Sequence, residues 1–147
     1  MNKQKFVYMT YIKATPERVW DALMNPELTR QYWFGHHNVS DWKPGSKWSH
    51  QMHDGSAVHV VGEVLEADPP RRLVVSWVSP DHQGDAEKTS RVTYEVEQFG
   101  ENVKLTVTHE ELHQEMFDSV SFGWPIVLCN LKTLLETGQP MPIEMKC

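Results

Sequence analysis

The hydrophobic pattern is clearest near the end of the chain, in residues 120–137. Apolar residues recur at intervals of three and four around this segment, which places them on one face of a helix. The stripe consists of Phe117, Val120, Trp124, Val127, Leu128, Leu131, Leu134 and Leu135. Gly138 favours the left-handed position that follows a last helical turn, and Pro140 cannot continue a helix. The pattern predicts one long amphipathic helix that buries its stripe against a sheet.

Two short helices are predicted near the start of the chain. Residues 5–13 are rich in Phe, Val, Tyr, Thr and Ile and predict a first strand. Thr15 is a candidate N-cap followed by Pro16 at the first helical position, and Asn25 with Pro26 repeats this signal. We therefore expect a strand followed by two short helices in tandem.

Beyond Trp33 the helical period is lost, and short apolar segments alternate with turns. The predicted strands are residues 38–42, 47–52, 57–67, 72–78, 89–98 and 102–110. Turns rich in Pro, Gly and Asp separate these strands closely. A doubly wound parallel sheet would need a helix between neighbouring strands, so the spacing favours a mainly antiparallel α+β arrangement.

Side-chain alternation shows which faces of the last two strands are buried. The inward residues are Val92, Tyr94 and Val96 in one strand and Val103, Leu105 and Val107 in the other, and His109 continues the second row. The facing of residues 57–67 stays open, because Val60 and Val64 lie opposite to Val61 and Leu65. Gly62 in this segment could mark a β-bulge.

The composition indicates a single globular domain over residues 1–147. The chain is 39% hydrophobic and 23% charged, and its formal net charge of -6 disfavours a nucleic-acid partner. No apolar run approaches the roughly 20 residues of a membrane helix. The first residues also lack the apolar centre of a signal peptide. We therefore predict a cytoplasmic protein without membrane contact.

Motifs for catalysis or metal binding are not found. The eight histidines lack the spacing of a metal site, and no nucleophile motif or phosphate-binding loop occurs, so we assign no metal, cofactor or catalytic residue. His109 and Glu63 remain as acid/base candidates. Cys129 and Cys147 are predicted to be free thiols. Cys129 and Ile126 lie opposite the apolar stripe, where they either belong to the ordinary surface or a contact with a neighbouring element, or else contact a second subunit.

Aromatic residues are the more informative feature, because a compact core holds so many of them only if they pack extensively on one another or if a gap remains between helix and sheet. These residues are Trp33, Phe34, Trp42, Trp48, Trp77, Tyr94, Phe122 and Trp124. Aromatic side chains with a polar group line small-molecule cavities as well as cores. The candidate cavity lining is Trp42, Trp48, Trp77, Tyr94, His109, Phe122 and Trp124. His109 and Tyr94 could orient the polar end of a ligand.

Five segments together carry a family resemblance. They read ATPERVWDAL, NPELTRQYWF, DWKPGS, GEVLEADPPRRL and, at the end, GWP followed by an apolar helix that closes with LLETG. From about Val7 to Gly138 the chain resembles the SRPBCC superfamily. Within it, the chain is most similar to the family named after activators of the ninety-kilodalton heat-shock protein ATPase, in its short stand-alone bacterial form.

The resemblance implies a helix-grip fold of the α+β class. In this fold a curved antiparallel sheet of about six or seven strands wraps around a long C-terminal α-helix, and two short helices follow the first strand. The implied function is binding of a small hydrophobic or amphipathic molecule, lipid-like or polyketide-like, between sheet and helix. Two alternatives stay open because fold does not settle function: a chaperone-assisting interaction module, and a cyclase or hydrolase with an acid/base residue in the cavity. A homodimer could also form.

Overall fold

A computed structural model describes residues 3–142, in which seven strands and three α-helices form. The elements are β1 (Gln4–Ile12), α1 (Pro16–Met24), α2 (Pro26–Tyr32), β2 (His36–Ser40), β3 (Lys47–Met52), β4 (Val58–Asp68), β5 (Arg72–Trp77), β6 (Ser90–Phe99), β7 (Asn102–Leu112) and α3 (Gln114–Thr137). Cys147 lies outside the described residues. Among residues 3–142, no helix combines the length and apolar character of a membrane span.

All seven strands join one curved sheet in the order β1-β7-β6-β5-β4-β3-β2. Each neighbouring pair is antiparallel. The buried residues of α3 include seven of the predicted stripe, from Val120 to Leu135, and they join the core formed by the inward rows of β6 and β7. The predicted antiparallel α+β fold, with a long C-terminal helix and two short helices after the first strand, is confirmed.

The predicted helix ends are also observed. The side chain of Thr15 accepts a hydrogen bond from the backbone N–H of Arg18 at the start of α1, and Asn25 does the same for Glu27 at the start of α2. Gly138 ends α3 with a left-handed φ of 86°. The helix begins at Gln114, ahead of the predicted residue 120. Gln114 and Glu115 are exposed, so the apolar period does not reveal this start.

The long helix is also attached to β1, the edge strand beside it. The Sγ atom of Cys129 lies 3.1 Å from the Tyr8 hydroxyl. Lys132 donates to the carbonyl oxygen of Tyr11 at 2.5 Å. Cys129 therefore contacts a neighbouring element of the same chain, which is one of the two alternatives that its position on the helix left open.

The facing of β4 becomes clear in the structure. Val60 and Val64 are buried in the core, whereas Leu65 is exposed. The register shifts twice along this strand, against β3 near His50 and against β5 between Val64 and Glu66. These two irregularities explain why simple alternation does not reveal the buried face.

Gly62 has a different role from the β-bulge that its sequence suggests. It pairs directly with Trp48 of β3. The Trp48 indole crosses over it to donate to the carbonyl oxygen of Ser76 on β5 at 2.7 Å. A Cβ atom at residue 62 would collide with that carbonyl oxygen and lie 2.5 Å from the Trp48 Nε1 atom. Glycine is therefore required by a close approach of backbone and indole.

We expect Gly62→Ala to lower the free energy of unfolding by about 1–3 kcal/mol, the usual cost of overpacking a rigid site. Chemical denaturation of the purified protein measures this change. Gly123→Ala in α3 is the matched control, because no heavy atom outside the neighbouring residues and the backbone of the helix itself lies within 4 Å of the added Cβ. The control should be as stable as the wild type, or more stable by up to about 1 kcal/mol, since alanine is the better helix former. Equal stability of both variants would contradict this role of Gly62.

Candidate functional site

Five aromatic side chains meet between α3 and the sheet. We call these five side chains the aromatic cluster. All are buried, and they belong to Trp33, Trp48, Trp77, Tyr94 and Trp124. The Trp124 ring centroid lies 5.5 Å from that of Trp33 and 5.6 Å from that of Trp77. Trp48 lies 5.5 Å from Trp77 on the sheet side. Tilted pairs at these distances contribute about 0.5–1.5 kcal/mol each beyond their buried area.

A chain of hydrogen bonds connects this cluster to the sheet. The Trp124 indole donates to Nδ1 of His109 at 3.0 Å. An indole N–H can only donate, so Nδ1 of His109 is the acceptor. The single N–H proton of the neutral imidazole therefore resides on Nε2. Nε2 then donates to the Ser90 hydroxyl at 2.7 Å, and Ser90 donates to the carbonyl oxygen of Trp77 at 3.1 Å. Four elements, α3, β7, β6 and β5, are joined by this one chain.

His109 is held in its neutral form by this arrangement. Its side chain has no exposed surface, and burial lowers the pKa of His109 to about 3. Both ring nitrogens already have protein partners, so neither is free for a substrate. Glu63, the other acid/base candidate, lies exposed on the surface of β4. The structure therefore does not support an acid/base role for either residue.

A second buried histidine, His50 on β3, borders the cluster. Its Nδ1 donates to Oδ1 of Asn38 on β2 at 2.7 Å, and its ring lies 4.7 Å from Trp33. Burial, reinforced by the neighbouring His36 and His59, lowers the pKa of His50 to about 3. Among residues 3–142, no three His, Cys, Asp or Glu side chains are arranged to hold a metal ion.

Two spaces lie beside the aromatic cluster. The first, the inner space, has a volume of about 10 Å³, at the lower limit for one water molecule. Its walls are Leu23, Met24, Trp33, Asn38, Trp42, Trp48, Leu73, Val75 and Tyr94. Burial raises the pKa of the Tyr94 phenol, whose hydroxyl group has no hydrogen-bond partner within residues 3–142.

The second space, the cleft, lies under α3 and opens to the surface. Its volume is about 140 Å³, close to that of an apolar cavity of about 150 Å³ that binds benzene. Its walls are Trp33, Trp77, Ser119, Val120, Gly123, Trp124 and Val127. No charged side chain is among them. Trp77, one of these wall residues, has a buried indole N–H without a hydrogen-bond partner within the described part of the chain.

The predicted lining residues fall into three groups. Trp42, Trp48 and Tyr94 line the inner space, and Trp77 and Trp124 line the cleft. The other two predicted residues, His109 and Phe122, line neither space.

His109 lies behind Trp124 and does not reach a space, because its ring is fully enclosed by its hydrogen-bond partners. Phe122 is 66% exposed on the outer side of α3. Each helical residue is rotated by about 100° from the one before it, so Phe122 points away when Gly123 and Trp124 face the cleft. Trp33, which the lining prediction omits, borders both spaces.

The two buried histidines should make stability depend on pH. Their folded pKa values of about 3 lie below the ordinary value of about 6.5 that applies in the unfolded chain. The unfolded state therefore binds more protons in acid, and stability falls as the pH decreases below about 6.5. Each histidine contributes a slope of about 1.4 kcal/mol per pH unit between about pH 4 and 6.

We expect His109→Gln to remove one of these two contributions, which urea titrations at several pH values would measure. His50→Gln serves as the matched comparison and should reduce the slope by a similar amount. An unchanged slope in His109→Gln would show that this imidazole is not held neutral in the folded protein.

Comparison with known proteins agrees with the fold. The family model described as "Activator of Hsp90 ATPase homolog 1-like protein" matches residues 13–136. No curated protein matches the sequence.

Several solved structures are similar. CalU16 from Micromonospora echinospora is 24% identical, with a TM-score of 0.74 over 95% of this chain and 78% of that one. ChR145 from Cytophaga hutchinsonii is 28% identical, with a TM-score of 0.71 over 92% of this chain and 96% of that one. The Aha1 dimer from Colwellia psychrerythraea is 18% identical, with a TM-score of 0.71 over 92% of this chain and 98% of that one. Because the family model spans most of the chain, the protein belongs to the Activator of Hsp90 ATPase homolog 1-like family of the SRPBCC superfamily, as its motifs predict.

Proposed function

We propose that the protein binds a small, uncharged, mainly apolar molecule in the cleft under α3, and that the molecule carries an aromatic ring and a hydrogen-bond acceptor. The observation that carries this proposal is the unpaired indole N–H of Trp77, a residue that lines the cleft. A buried donor without a partner costs about 1–3 kcal/mol, and folded proteins contain few of them. A ligand oxygen beside the Trp77 ring would supply the missing acceptor.

Two neighbouring indoles differ from that of Trp77, because their N–H groups have acceptors within the protein. The indole N–H of Trp48 is paired with the carbonyl oxygen of Ser76, and that of Trp124 is paired with His109. The Trp33 indole and the Tyr94 hydroxyl also lack partners within residues 3–142, but among these residues Trp77 Nε1 is the unpaired side-chain nitrogen or oxygen that is fully enclosed. This enclosed donor belongs to a residue of the cleft wall.

The size and polarity of the cleft define the ligand further. Apart from the Ser119 hydroxyl its walls are apolar and aromatic, and they hold no charge, so an ionised ligand would be buried without a counter-charge at high cost. Cavities for drug-sized ligands measure about 300–1,000 Å³. A cleft of about 140 Å³ accommodates one ring with a small substituent.

The test compares acetophenone, which has a ring and a carbonyl acceptor, with ethylbenzene, which lacks the acceptor. We expect both probes to bind the wild type and to be excluded by Gly123→Leu, because the new side chain enters the open space at residue 123. Phe122→Leu, one residue away on the exposed side, is the matched control and should bind both probes normally. Isothermal titration calorimetry measures the affinities.

Trp77→Phe adds a test of the acceptor. It keeps a ring in the wall but removes the N–H, so the affinity for acetophenone should fall about threefold to tenfold, the effect of one neutral hydrogen bond. The affinity for ethylbenzene should be unchanged. Absence of binding to the wild type, or equal binding to Gly123→Leu, would contradict the proposed function.

A chaperone contact, self-association and a cytoplasmic location stay predictions from the sequence. Exposed apolar side chains do occur on the outer surface of the sheet, where Val7, Met9 and Tyr11 alternate along β1 and the Tyr11 ring lies 4.9 Å from that of Phe99. This surface is separate from the cleft. Binding in the cleft is therefore compatible with either kind of contact.

A further inference from the structure

We propose that Trp33 is a movable partition between the inner space and the cleft, and that an elongated ligand occupies both spaces when this indole turns aside. The inference rests on the proposed binding function of the cleft and adds the shape and polarity of the ligand. Trp33 contributes to the walls of both spaces. Removing its ring from this position would join them.

The attachment of Trp33 differs from that of the other tryptophans in the cluster. The indoles of Trp48 and Trp124 are held by hydrogen bonds to protein acceptors. The Trp33 indole makes no hydrogen bond within residues 3–142 and is held by ring contacts, 5.5 Å from Trp124 and 4.7 Å from His50. It can therefore rotate without breaking a polar contact.

The backbone around Trp33 is irregular. Trp33 is the C-cap residue of α2, with φ -115° and ψ 42°. Phe34 and Gly35, which follow it, both have left-handed φ values, of 51° and 77°. A non-glycine residue in this region is strained, and such residues cluster at ligand clamps and switches. The carbonyl oxygen of Trp33 accepts a hydrogen bond from the backbone N–H of His36 at 3.0 Å. The backbone of Trp33 is therefore held by a hydrogen bond, whereas its side chain makes none within residues 3–142.

The two spaces offer different chemistry. The inner space presents the Tyr94 phenol and the amide group of Asn38, whose oxygen is already engaged by His50 and whose nitrogen remains a donor. The cleft presents tryptophan rings and valines, with the Ser119 hydroxyl as a further polar group. A ligand that spans both spaces would place a hydroxyl or carbonyl oxygen at the inner end and an aromatic ring under α3. The class indicated is an elongated, uncharged aromatic compound with a terminal oxygen.

The test uses two probes of different length, phenol and 4-phenylphenol, and calorimetric affinities for the wild type and Trp33→Ala. Phenol fits the cleft alone, whereas 4-phenylphenol needs both spaces. A closed partition reduces the apparent affinity by the fraction of open molecules, so Trp33→Ala should bind 4-phenylphenol about tenfold more tightly. The affinity for phenol should change by less than about threefold, the scale of a few lost packing contacts.

Trp20→Ala is the matched control, because it makes the same substitution at a residue that lines neither space. It should leave both affinities within about threefold of the wild type, the scale of lost packing contacts. If Trp33→Ala does not fold, Trp33→Met takes its place, since methionine keeps apolar bulk but is flexible.

An equal gain for both probes, no gain for 4-phenylphenol, or the same gain in Trp20→Ala would overturn the partition and leave the cleft function standing. Failure of phenol to bind the wild type would overturn both proposals.

Discussion

The hydrogen-bond chain from Trp124 through His109 to Ser90 determines how the long helix sits on the sheet. Its members are buried, so each donor needs an acceptor inside the protein, and the chain satisfies this requirement with a neutral imidazole at its centre. The Trp124 ring is thereby positioned against Trp33 and Trp77. The cleft exists because α3 carries Gly123, without a side chain, next to this anchored tryptophan.

The same interaction explains why an inward histidine does not indicate catalysis in this protein. His109 has a strongly lowered pKa, but the cause is burial without access to a substrate. A perturbed pKa marks a functional site only when the group also faces a reachable pocket. The groups that do face the two spaces are aromatic rings, an amide, a phenol and an unpaired indole, which suit recognition of an uncharged molecule better than proton transfer.

Local patterns in the sequence predict most of the fold. The apolar stripe of α3, the caps at Thr15 and Asn25 and the inward rows of β6 and β7 depend on residues close together in the chain. Contacts between distant segments are not visible in such patterns. The facing of β4 needs the register of two neighbouring strands, and the need for Gly62 depends on an indole from β3 and a carbonyl group from β5.

In the candidate site, too, local patterns predict some positions, whereas contacts between distant segments determine others. Inward parity places Tyr94 on the buried face of β6, where it lines the inner space, but the position of Trp33 depends on α2, β3 and α3 meeting at one point. The most direct measurement of the central claim is a titration with acetophenone followed by the six indole ¹⁵N–¹H signals of the protein. Binding under α3 predicts that the signals of Trp33, Trp77 and Trp124 shift, with Trp77 shifting most, while that of Trp20 on α1 stays in place. No shift at saturating probe, or a shift confined to Trp20, would contradict the account.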